Sequence, residues 1–133
     1  MKNFNEQSAV QFLKDVRRPL LTLHKSILDH ERAAYEKTVG PITPAAFLQE
    51  LISGTNFRWI APLTTAITSI DELLDEKETT DEEKVAGAQA ISALFAPDAP
   101  DNAFRQRYLT LLQESPAILH EHSKVIQALN NVG

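Results

Sequence analysis

Apolar residues recur every three or four positions along nearly the whole chain, the spacing that lines one face of an α-helix. Val10, Leu13 and Val16, with Phe12 beside them, predict a first helix from about Ser8 to Arg17. Pro19 follows, and its fixed φ and missing N–H suit either the first turn of a new helix or a kink. The stripe then continues through Leu20, Leu23, Ile27, Ala34 and Tyr35, widened by Leu21 and Leu28, to about Thr38. Gly40-Pro41 is a helix-ending pair.

Thr43 and Pro44 supply an N-cap and a first helical residue. Ile42 and Phe47 hold the two positions of a hydrophobic staple, and Gly54 ends that helix. Phe57, Trp59, Ile60, Leu63, Ile67, Ile70, Leu73 and Leu74 predict the next, capped by Asn56, with a kink or its true start near Pro62. Asp75 to Lys84 is charged and reads as an exposed connector. Inside it, Thr80 and Glu83 have the spacing of a capping box. They open a helix carrying Val85, Ala88, Ile91, Leu94 and Phe95. Pro97–Asp101 reads as a turn, with Asp101 or Asn102 capping a helix that turns Phe104, Tyr108, Leu111 and Leu112 inward. Ser115-Pro116 starts the last helix, whose inward residues are expected to be Leu119, Val125, Ile126 and Leu129. No alternating run competes as a strand. The chain is therefore expected to be all-α, a compact bundle of five or six mostly antiparallel helices forming one domain over residues 1–133.

Composition narrows the function classes. The 133 residues carry a formal net charge of -5, so no nucleic-acid partner is expected, since such binding needs a cationic surface. Lys14, Arg17 and Arg18 are a local basic group of the kind that solvates a helix face. Without cysteine, disulfides, thiolate nucleophiles and sulfur-ligated zinc are excluded. The polar first residues, Met1 to Gln7, are not expected to act as a signal peptide. No run approaches the roughly 18 apolar residues of a membrane span, and a cytoplasmic, soluble protein is expected.

Candidate chemistry is sparse. The four glycines, at 40, 54, 87 and 133, are too isolated for a phosphate-binding loop, and no serine sits in a nucleophile elbow. No histidine stands at the helical spacings from a glutamate or a second histidine that metal-binding bundles use. No catalytic residue and no cofactor is indicated by motif. His24 and Glu31 lie two turns apart on nearly one face, near Tyr35, and His122 borders the stripe of the last helix. Asp71 stands beside Ile70 on the helix after Pro62. The convergence of His24, Glu31, Asp71 and His122 would make a site for a metal or small polar ligand. Separate hydrogen bonding of each polar group is the plainer expectation. Trp59, with Phe57, either walls such a pocket or anchors its helix. Gly87, mid-helix, predicts a close helix approach, with Trp59 as its expected neighbour.

Leu23-His24-Lys25, Glu31-Arg32, Tyr35-Glu36 and Gly40-Pro41 form one recognisable run, and Phe57 to Leu63 with Ile70-Asp71-Glu72 form another. Together they resemble a set of short bacterial all-helical proteins with no established activity. The likeness spans about Pro19 to His122 and implies a helical fold, while transferring no catalytic residue. The leading functional expectation is a non-enzymatic interaction or structural module. Surplus apolar residues such as Phe4 and Phe12 point to self-association as a homodimer.

Overall fold

The computed structural model describes residues 4–75, 77, 79–96 and 99–132. Parts of the expected connector (Glu76, Glu78) and turn (Pro97, Asp98) lie outside the described residues, as do Met1–Asn3 and Gly133. The fold is an all-α bundle with six helices among the described residues: α1 (Glu6–Val39), α2 (Pro44–Ser53), α3 (Ala61–Leu73), α4 (Asp81–Leu94), α5 (Ala103–Glu114) and α6 (Pro116–Asn130), with a 3-10 turn at Arg58–Ile60. Among the described residues there is no strand, and no helix is long and apolar enough to cross a membrane.

Helix α1, at 34 residues about 50 Å long, is the spine. Asn5 and Ser8 cap it reciprocally: each side-chain oxygen accepts from the other's backbone N–H, at 2.8 and 2.9 Å. It ends where Gly40 takes the left-handed φ of 89°, which glycine adopts without a Cβ penalty. The break or new helix considered at Pro19 does not occur, and one helix runs through it. Phe12, Leu13, Val16, Leu20, Leu23 and Ile27 form a single buried stripe on both sides of the proline. Burial along that stripe outweighs the roughly 3 kcal/mol that an interior proline costs.

Around this stripe α1 packs against α3, α4 and α6, α3 against α4, and α5 against α6 and the 3-10 turn. Most caps read from sequence are in place: Thr43 on α2, Thr80 with Glu83 on α4, Asn102 on α5 and Ser115 on α6. Asn56 is the exception: neither the 3-10 turn nor α3 has a side-chain cap, and Asn56 Nδ2 donates to Glu50 Oε1 instead. Helix α3 starts at Ala61 with Pro62 in its first turn, so the proline begins the helix rather than kinking it.

Several expectations need correction. Ala34 and Leu21, placed on or beside the stripe of α1, are both exposed. Leu119 faces outward, and Ile118 is buried instead, because the stripe of α6 runs through residues 118, 125 and 129. Lys84, at the end of the exposed connector, is buried. Its Nζ donates to the Thr79 carbonyl at 3.0 Å and to Thr79 Oγ1, so the ammonium keeps partners while its stem packs. Gly87 does admit a close approach, but its neighbour is Leu73 of α3, whose methyls a Cβ would strike; Trp59 stacks on Phe104 instead. Finally, Phe12 is buried and Phe4 packs on it with ring centroids 5.2 Å apart. These two phenylalanines are used by the core and are not surplus.

Candidate functional site

Past Glu31, α1 buries no further residue, and its last two turns leave the main core. A second, smaller cluster forms there. Helix α2 contributes Phe47, the segment after it contributes Phe57, and α1 contributes Tyr35. The Phe47 and Phe57 rings meet edge to face at 5.4 Å, and Tyr35 and Phe57 at 5.6 Å, a favoured aromatic geometry. Arg32 ties the cluster to α1. Its guanidinium lies 5.6 Å from the Phe47 ring centroid, and Nη2 donates to the Ile42 carbonyl at 2.7 Å. Glu36 accepts from the Ile42 N–H at 3.0 Å, so the loop between α1 and α2 is held from both sides.

This cluster turns Phe47 inward and leaves the opposite face of α2 bare. Ala45, Leu48, Gln49 and Ile52 share that face by helical spacing, and all four are exposed, Leu48 at 55% and Ile52 at 72%. Val39, at the end of α1, is 56% exposed. Among the described residues α2 packs extensively against no other helix, and it touches α1 through Phe47 and Arg32. The single charged residue of α2, Glu50, lies off the bare face, where Oε1 accepts from Asn56 Nδ2 at 2.9 Å.

The six residues singled out from sequence fall in different surroundings. His24 Nε2 is 3.0 Å from Thr64 Oγ1 of α3. Glu31 is 8% exposed and accepts from Arg107 Nη2 of α5 at 2.7 Å. His122 Nδ1 is 2.6 Å from the Tyr108 hydroxyl of α5. Asp71 is largely exposed and pairs with Arg17 at 2.9 Å. Tyr35 belongs to the cluster with Phe57, and Trp59 to the main core beside Phe104. His24, Glu31, Asp71 and His122 are thus each satisfied by a different partner. Among the described residues, no group of three or more His, Asp or Glu could hold a metal ion. Burial pushes His24 and His122 below the ordinary histidine value and the Tyr108 phenol above its own.

Sequence reasoning named Glu31 but missed the groups around it. Arg107 bridges Glu31 to Glu114, whose Oε1 is 3.7 Å from Nη1. His30 lies between the same two carboxylates, 3.5 Å from Glu31 and 3.8 Å from Glu114. The arrangement clasps α1 to α5. A guanidinium already occupies the centre of this carboxylate pair, so the clasp reads as a structural tie. Two open hollows also mark the surface. One is lined by Glu6, Asp81, Glu82, Val85, Ala86 and Gln89, the other by Glu72, Asp75, Thr79 and Glu83; neither includes any of the six residues.

No protein-family model, curated protein or solved structure matches the chain. Functional inference therefore rests on the chain's own surfaces. The bare face of α2 is the feature that the fold does not account for.

Proposed function

We propose that the protein is a non-enzymatic helical interaction module, and that its working surface is the outer face of α2. One observation carries this reading: Leu48 and Ile52, one turn apart, are both exposed on a helix anchored mainly through Phe47. Other exposed leucines, Leu21, Leu109 and Leu119, stand on helices that bury several residues each, and scattered exposure of that kind is ordinary. Leu48 and Ile52 are different because burying them would complete a helix that otherwise has one packed face. The net charge of -5 supports a protein rather than a nucleic acid as partner.

Hydroxyl-radical footprinting compares these side chains in intact cells and in dilute purified protein. The reading expects Leu48 and Ile52 to react several-fold less in cells, with Leu119 as an exposed reference that does not change. Equal reactivity of Leu48 and Ile52 in both settings contradicts it.

A further inference from the structure

Resting on the reading of α2 as the working surface, we infer that its partner is a second copy of the same helix, packed antiparallel about a two-fold axis near Leu48. Charge is the first argument. The bare face of α2 carries no charged side chain, and Glu50 is turned aside toward Asn56. A basic or acidic partner gains nothing from such a face. A second copy carries the chain's own net charge of -5, and docking α2 on α2 meets it at a face without like charges.

Shape is the second argument. In an antiparallel pair centred near residue 48, Leu48 faces its own counterpart. Ile52 of each copy then falls opposite Ala45 of the other, a large side chain against a small one. The same register serves both copies, as an isologous interface requires. Antiparallel helices also set opposite dipole ends side by side. The pairing gives Leu48 and Ile52 the burial that the monomer denies them.

The size of the face sets the strength. Ten residues of helix span about 15 Å and cover less than the roughly 800 Å² per partner of a standard stable complex. The dimer is accordingly a reversible one.

Sedimentation of the purified full chain from about 5 to about 500 μM tests this, since the dimer fraction of a reversible pair rises with concentration. The expected result is a monomer at the low end and a growing dimer fraction at the high end. Leu48→Glu and Ile52→Glu should each weaken association at least about tenfold, since each buries a charge against the copy. Both side chains are exposed in the monomer, so circular dichroism and melting temperature should be unchanged. The chain has no cysteine, so engineered thiols report the register directly. Leu48→Cys should form a disulfide dimer under mild oxidation about tenfold faster than Ala46→Cys, which lies on the flank of the helix.

A chain that stays monomeric at every concentration overturns the second copy as partner. If Leu48 and Ile52 are nevertheless protected in cells, the interaction reading stands with a different partner. A dimer indifferent to both glutamate variants overturns this face, and equal cross-linking rates at positions 48 and 46 overturn the register.

Discussion

Between Ala9 and Ile27, helix α1 is met by α3, α4 and α6, and Leu13, Val16, Leu20, Leu23 and Ile27 are closed off completely from solvent. Beyond Glu31 the same helix meets a loop, the short helix α2 and Phe57, joined by three aromatic rings and the hydrogen bonds of Arg32 and Glu36. The first region satisfies its apolar surface from within the chain. The second satisfies one face of α2 and leaves the other to solvent. One helix, continuous in backbone, therefore passes from a self-sufficient core to a half-packed one. The boundary is marked by the Glu31–Arg107 clasp. What is left unburied at the second end is what can be given to a partner.

Truncation should break the comparison most sharply. Leu20→Ala, in the main core, should lower global stability by about 2–5 kcal/mol, the range for a buried leucine, read as a fall in melting temperature of the whole protein. Phe47→Ala should instead detach α2 while the bundle melts nearly as before, so that local proteolysis rises without an equal loss of global stability. Equal global losses would show the two regions to be one cooperative unit.

Acid should act unequally on the two regions as well. His24 and His122 both lie in the main bundle, at Thr64 and Tyr108, and burial lowers both in the folded state. The unfolded chain then binds more protons, so stability is full above about pH 6.5 and is lost as pH falls from there toward the folded values. Denaturant titrations between pH 7.5 and pH 5, about one unit above to 1.5 below the unfolded value, should show that loss. Replacing His122 with Gln, or His24 with Gln, should flatten it. A stability curve that rises on acidification over that interval would contradict the burial of these rings.

The smallest effect concerns a contact inside the main bundle. Gly87→Ala gains about 1 kcal/mol of helix propensity but forces Leu73 from its place on α3, where overpacking typically costs about 1–3 kcal/mol. We expect a net loss of about 1 kcal/mol, the balance of those two terms, whereas in a Leu73→Ala background the same substitution should no longer destabilise. A stabilised single variant would show that Leu73 moves aside freely.

Much of the fold was legible because its signals are local. Thr43-Pro44, Thr80 with Glu83, Asn102 and Ser115-Pro116 each mark a helix start through hydrogen bonds within three residues. Pro19 was ambiguous because its local cost is fixed, whereas the burial that overrides it comes from three other helices. Leu119 was misplaced by one position at the start of α6, where a stripe is hardest to phase. The candidate residues illustrate the same limit. The periodicity of α1 and α6 put His24, Glu31 and His122 at the edge of the core, where they are. Their partners stand 40, 76 and 14 residues away in the chain, and no helical spacing reveals which side chains meet across such distances. The bare face of α2 was invisible for a related reason. An apolar stripe shows which residues could be buried, and only the assembled fold shows that none of the described residues covers Leu48 and Ile52.

Native-state hydrogen exchange, read helix by helix at about 10 μM and again at several hundred micromolar, tests the contrast between the two regions most directly. Amides of α2 should exchange through local opening in the dilute sample, orders of magnitude faster than those of α1 between Phe12 and Ile27. Higher concentration should slow α2 alone. Amides of α2 as protected in dilute solution as those of the core would contradict that contrast, because a helix already that secure has no unfinished face to offer.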